Sequence, residues 1–192
     1  MRIAIVGSGF IGTVLGRRLA QSGHQVTIAT RRVNDVERRV EGARYTSAAD
    51  ALSDADVVIL ALPAAAVSAF AQANAGALVG ALVIDTTNHM SASVANSRAM
   101  LPRSVRYVRA FNTLGGENFE NPHFADGPAD MFFSAPEADR RVVEEVINSV
   151  GLRPIFVGVD QEAIVDGLFR LWIALAITQG RGRRLALRLL EK

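Results

Sequence analysis

Short apolar runs and longer amphipathic stretches alternate along this chain. Ile3, Ala4, Ile5 and Val6 make the first run, and apolar positions at Ile11, Val14, Leu15 and Leu19 follow at helical spacing. A second strand is expected over 25–29, a weak third over 43–46, and a helical turn over 48–52. Between the second and third, Asn34 and Glu37 form a capping box for a short charged helix ending near Gly42. The run over 56–62 is continuous, as in a parallel strand buried on both faces, and Pro63 opens a helix over 64–75. Strands are expected again over 82–85 and 105–108, joined by a helix over 93–100.

The second half keeps the alternation. Residues 109–119 mix glycine and asparagine with apolar positions and read as a long loop. A strand resumes over 131–134, and Pro136 starts a helix with Val142, Val143, Val146, Ile147 and Val150 on one face and Gly151 as its stop. A last short strand over 154–157 lies near an edge because of its proline. From Glu162 a helix is apolar nearly all round, Gly180 and Gly182 break it, and Leu185, Leu187, Leu189 and Leu190 predict a final short helix. This order predicts an α/β fold: a Rossmann-type, doubly wound, mostly parallel sheet with a short C-terminal helical appendage. The expected division is a nucleotide-binding domain over 1–160 and a helical segment over 161–192 for dimerisation or the acceptor site.

The junction of first strand and first helix carries the chemistry. Gly7, Ser8, Gly9, Phe10, Ile11 and Gly12 spell GxGxxG between a strand and a helix, inside a βαβ unit. Gly7 allows the tight turn, Gly9 lets the backbone approach a pyrophosphate, and Gly12 lets helix and strand pack closely. The pyrophosphate would rest on the helix N-terminus, where N–H groups and the dipole favour an anion. Thr30, Arg31 and Arg32 end the second strand, with no carboxylate before Asp35. An NAD site usually has an acidic residue there, whereas guanidinium forks suit a 2′-phosphate, so the expected cofactor is NADP(H). Leu62 and Pro63 should line the same cleft at the end of their strand. Thr87 and Asn88, after the fifth strand, and Phe111, Asn112 and Thr113, in the long loop, are candidate walls of an acceptor pocket. Phe111 reads equally well as a core residue.

Composition narrows the class. A chain of 192 residues is one large domain, or one with a small appendage, and 49% hydrophobic content is ample for a core. The net charge of +2 is too balanced to suggest nucleic acid; the basic excess is local, in Arg170, Arg181, Arg183, Arg184, Arg188 and Lys192. Zero cysteines exclude disulfides, thiolate chemistry and Cys-ligated metal. The first strand leaves no room for a signal peptide, and the apolar run over 57–71 is too short for a bilayer. The expectation is a soluble, cytoplasmic protein.

The GSGFIG turn, the basic Thr30, Arg31 and Arg32, the AFNT segment at 110–113 and the closing LWIALAITQGRGRRLALRLL resemble the NADPH-dependent reductases of coenzyme F420. They also resemble the related NADPH-oxidoreductase domains of membrane metalloreductases. The resemblance implies a homodimer with NADPH in the Rossmann cleft and a deazaflavin (coenzyme F420) or flavin near the nicotinamide. The residues agree with that implication in one respect. No triad, metal cluster or close carboxylate pair stands out, and the three histidines are scattered. His24 reads as structural, whereas His89 and His123 fall on loops where either could donate a proton. Hydride transfer between two redox cofactors needs chiefly stacking and position, while reducing an imine or carbonyl needs a placed proton donor. Two rivals remain: an NADPH-dependent imine or carbonyl reductase of the pyrroline-carboxylate or hydroxy-acid type, and a non-enzymatic NADP(H)-sensing dimer.

Overall fold

The structure, a computed structural model, describes residues 1–31, 33, 39–88 and 97–190. Arg32, the capping box at Asn34 and Glu37, His89, and the 93–96 part of the helix expected over 93–100 lie outside the described residues. The chain forms two compact units, Met1–Val108 and Arg109–Lys192.

The first unit follows the alternation of the sequence. Its elements are β1 (Arg2–Val6), α1 (Phe10–Gln21), β2 (Gln25–Ala29), β3 (Ala43–Thr46), α2 (Ala48–Leu52), β4 (Val57–Leu60), α3 (Ala64–Ala73), β5 (Leu82–Asp85) and β6 (Arg106–Arg109). A 3-10 turn at Arg98–Met100 stands where the end of a longer helix is expected. The strands form one parallel sheet of six in the order β3-β2-β1-β4-β5-β6. The order reverses between β1 and β4, and ligands of such sheets bind beyond the strand ends at that point. One face packs Ala4, Val6, Val58, Leu60 and Val83 against Val67, Ala71 and Leu78. On α1, Val14, Leu15 and Leu19 are buried, each at about 1.5–3 kcal/mol relative to exposure. Gly16 lets this helix lie close, since a Cβ there would stand 3.0 Å from the Ile28 Cδ1.

The second unit contains α4 (Glu117–Glu120), β7 (His123–Phe124), β8 (Gly127–Pro128), β9 (Asp130–Phe133), α5 (Arg140–Val150), β10 (Arg153–Phe156) and α6 (Glu162–Ile173). β9 and β10 pair in parallel, and Gly151, at φ 91°, stops α5 in the left-handed conformation the sequence predicts. Two expectations need correction here. The 109–119 segment is not wholly irregular, because it enters α4. More telling, 185–190 forms no helix. Its backbone is satisfied by other elements instead. The Trp172 indole donates to the Leu185 carbonyl at 2.8 Å, Asp130 N–H to the Leu187 carbonyl at 3.2 Å, and Leu189 N–H to Asp130 Oδ2 at 2.6 Å. α6 runs into a π-helical turn, Ala174–Thr178. It buries Val165 and Trp172 but leaves Ile164, Leu171 and Ile177 about half exposed in the single chain. Among the described residues, no helix is long and apolar enough to cross a membrane.

Candidate functional site

The turn between β1 and α1 is built as its glycines demand, each for a different reason. Gly7 sits at φ 117°, and a Cβ there would collide with the Ala61 carbonyl. A Cβ on Gly12 would run into the Gly7 carbonyl. These two glycines are explained by the protein itself. Gly9 is not. It caps α1 at φ −75° and ψ −173°, backbone that any residue adopts, and no heavy atom lies within 4 Å of its would-be Cβ. No side chain caps this helix end. The open space over Gly9 is thus bordered by N–H groups of the first turn, an environment suited to an anionic group.

Around this turn lies a cleft of about 820 Å³. It gathers seven of the sequence-derived candidates: Gly7, Ser8, Gly9, Thr30, Arg31, Leu62 and Pro63. β1, β2 and β4 bring them together because their C-terminal ends lie side by side in the sheet. Ser8 Oγ and Thr30 Oγ1 share a hydrogen bond of 3.1 Å, tying the glycine turn to the end of β2. Among the described residues lining the cleft, Arg31 is the charged one, and no carboxylate borders it. Phe10, half exposed, and Ile11 start α1 beside the cleft.

Sequence reasoning missed the opposite wall. Ala66, Ala69, Phe70 and Ala73 of α3 line the cleft, with Asn74, Ser47 and Ala48. The signal was present, since small residues at 66, 69 and 73 recur at helical spacing and leave room for a flat ligand. Ser47 is also the N-cap of α2, accepting the Asp50 N–H at 3.2 Å. Its hydroxyl and that of Thr46 donate to the Asp50 carboxylate at 2.8 and 3.0 Å, which hold that carboxyl below its usual range.

Thr87 and Asn88 follow β5 but are not part of this lining. Asp85 is fully buried, accepting the Tyr107 hydroxyl at 2.7 Å and the Thr87 N–H at 2.9 Å. The Thr87 hydroxyl lies 2.9 Å from Ser97 Oγ, so it is engaged within the protein. Phe111, Asn112 and Thr113 belong to the second unit, each at most 2% exposed. Phe111 meets Phe119 edge to face at 5.7 Å and donates its N–H to the Met131 sulfur at 3.1 Å. Of its two readings, this packing is that of a core residue. Its φ of 63° is costly for an aromatic residue and persists only because these contacts fix it. His123 is exposed on β7, and His24 is buried in the turn before β2. Among the described residues no group of His, Asp or Glu is placed to hold a metal ion.

Comparison with known proteins agrees with this geometry. Residues 2–89 match the family described as NADP oxidoreductase, coenzyme F420-dependent. The likeness read from the sequence is borne out over that stretch; the 110–113 and 171–190 segments lie beyond it. A candidate F420-dependent NADP-reductase from Arthrobacter sp. FB24 superposes with a TM-score of 0.83 at 23% identity, covering 100% of both chains. A hypothetical protein from Sinorhizobium meliloti gives 0.72 at 25% identity, over 100% of this chain and 96% of its own. An imine reductase from Aspergillus terreus, solved with NADPH4 and dibenz[c,e]azepine, gives 0.74 at 21% identity. This chain covers 63% of that reductase, and 93% of this chain is aligned. No protein of curated function matches the sequence.

Proposed function

We propose that the protein is an oxidoreductase that moves a hydride between NADP(H) and a deazaflavin (coenzyme F420) or flavin acceptor. The observation that carries the nucleotide half is the cleft itself: an unfilled space over Gly9 at a helix N-terminus, with Arg31 and, among the described residues lining it, no carboxylate. Gly7, Ser8 and Gly9 would hold the pyrophosphate, Thr30 and Arg31, with Arg32, the 2′-phosphate, and Leu62, Pro63 and the alanine face of α3 the flat adenosine. NADPH, when bound, supplies the hydride. The chain's part is to hold and orient it, to keep its charged groups on backbone and guanidinium donors, and to favour it over NADH through the guanidinium contacts that only a 2′-phosphate can use.

The acceptor half rests on the family matched over 2–89 and on the scarcity of acid–base groups. His123 is exposed on a surface hairpin, a poor place for a proton donor in a dry site. Thr87 and Asn88 keep their proposed part in holding the acceptor, as do Asn112 and Thr113, whereas Phe111 is a core residue. The division of labour at residue 160, with 161–192 serving dimerisation or the acceptor, is part of the proposal too. A homodimer is supported by the half-exposed Ile164 and Leu171 on one side of α6, with Ile177 half exposed in the π turn, apolar side chains that water does not favour.

Stopped-flow mixing of NADPH-loaded protein with oxidised coenzyme F420, FMN, FAD and a cyclic imine tests the reaction. Rapid bleaching of the deazaflavin or flavin is the expected result. Turnover of the imine alone would transfer the assignment to the imine-reductase reading, which the Aspergillus terreus likeness favours. NADPH binding without reduction of any acceptor would leave a sensor.

A further inference from the structure

Beyond the run Thr30, Arg31, Arg32, one more basic residue is tied to the lining of the cleft, through Val33. Arg39 lies eight positions beyond Arg31, across a polar stretch, yet its Nη2 donates to the Val33 carbonyl at 3.0 Å, and Val33 lines the cleft with Arg31. The guanidinium is also stacked, its carbon 5.3 Å from the centre of the Tyr45 ring. Tyr45 is itself fixed. It is 8% exposed on β3, and its hydroxyl accepts the Val40 N–H at 2.9 Å. One buried tyrosine therefore anchors the backbone next to Arg39 and supports the guanidinium face, while Val33 sets the direction of one edge. An arginine placed only for solubility would not be held at both an edge and a face. Long exposed side chains lose rotamer entropy when fixed, and a flat cation on an aromatic face retains its in-plane donors for a second partner.

We propose that Arg39 is a nucleotide-specificity residue, whose Tyr45-supported guanidinium binds the 2′-phosphate of NADP(H) together with Arg31. The inference rests on the NADP(H) reading of the cleft and adds to it a residue that the strand-end pattern does not mark. A guanidinium fixed before the ligand arrives loses less freedom on binding than a mobile one, so its contribution falls on the phosphorylated nucleotide alone. The chemistry recognised is a dianionic phosphate monoester on the adenosine ribose.

The test measures dissociation constants of NADPH and NADH for the full chain and for Arg39→Ala, Arg39→Lys, Arg31→Ala and Tyr45→Leu, with thermal midpoints alongside. Arg39→Ala should weaken NADPH about tenfold, the equivalent of about 1.4 kcal/mol, and leave NADH unchanged. Arg39→Lys, keeping charge but losing the fork, should fall between. Tyr45→Leu should lower both the thermal midpoint and the NADPH preference, because it removes the stacking face. An unchanged NADPH-to-NADH ratio in Arg39→Ala, with Arg31→Ala reducing that ratio, overturns the proposal and leaves the NADP(H) reading intact. If the unmodified protein shows no preference between the two nucleotides, the NADP(H) reading itself fails. Equal loss of both nucleotides in Arg39→Ala and Arg39→Lys also overturns it, by showing a merely structural role.

Discussion

Substituting alanine at Gly9 and at Gly12 should separate binding from folding within a single turn. At Gly9 the added methyl group meets no protein atom within 4 Å, and φ of −75° suits any residue. The folded state loses only the preference of a helix N-cap for glycine over alanine, up to about 1 kcal/mol. For a chain of this size that is a fall of roughly 2–4 °C in Tm. At Gly12 the methyl group overlaps the Gly7 carbonyl, and backbone cannot swing aside as a side chain end can. β1 and α1 must move apart, an overpacking cost of about 1–3 kcal/mol or more. The order reverses for NADPH. The Gly9 methyl would stand where a pyrophosphate approaches the first-turn N–H groups, and each charge-assisted hydrogen bond lost costs roughly 1.5–3 kcal/mol. Gly9→Ala should therefore bind NADPH at least about tenfold more weakly while remaining nearly as stable as the parent. Nucleotide fluorescence titration and thermal denaturation, run on both variants, read the two quantities. NADPH affinity in Gly9→Ala equal to that of the parent would refute the placement of the pyrophosphate over this turn.

Three further outcomes follow from named contacts. Asp130, fully buried, takes Arg153 Nε at 2.6 Å and Nη2 at 2.8 Å as well as the Leu189 N–H, so Asp130→Asn should destabilise the second unit. The cost should be about 2 kcal/mol, below the ~3–5 of a fully buried pair because Arg153 is partly exposed, and trypsin should cut near Arg188 faster than in the parent. The Arg2 guanidinium and N–H hold the Asp56 carboxyl down from 3.8 to about 2, so its contribution is complete above pH about 4 and is lost as pH falls through about 2. Because the pair is exposed, the Tm difference between the parent and Asp56→Asn should be small at neutral pH and vanish in acid. Leu171→Glu, placing a charge beside the exposed Ile164 of α6, should convert a sedimenting dimer to monomer without loss of NADPH binding.

Much of the first unit was legible because its signals are local. A strand buried on both faces must be apolar throughout, and VVIL at Val57–Leu60 can be little else. The glycine turn was legible for a different reason. Gly12 is imposed by the Gly7 carbonyl only five residues away, and so by geometry within one short segment, whereas the Ala61 carbonyl that imposes Gly7 comes from beyond β4. The alanine wall on α3 was harder to see. Alanine at a helical spacing is equally good as a core face, and only the position of α3 beside β1 and β4 shows that Ala66, Ala69 and Ala73 look into a cleft. Arg39 was less visible still, since its meaning depends on Tyr45, six residues on, in β3.

The second unit shows why leucine spacing alone misleads. LALRLL at 185–190 has the composition of a helix, and a helix would satisfy its backbone internally. In the structure other elements offer that backbone better partners. Trp172 from α6, Asp130 from β9 and Arg153 from β10 supply donors and acceptors to Leu185, Leu187 and Leu189 on alternate residues, the spacing of an extended strand. One fully buried carboxylate, Asp130, binds both Arg153 and the tail, so neither contact can form well without the other. The buried pair of Arg109 and Asp166, 2.7 Å apart, has the same character. Its partners stand 57 positions apart, and each by itself reads as an ordinary surface charge. A charge is tolerable in such a place only when a partner arrives with it. Both networks therefore depend on the completed second unit, and local propensity decides the course of the chain only where no such partner competes for the backbone.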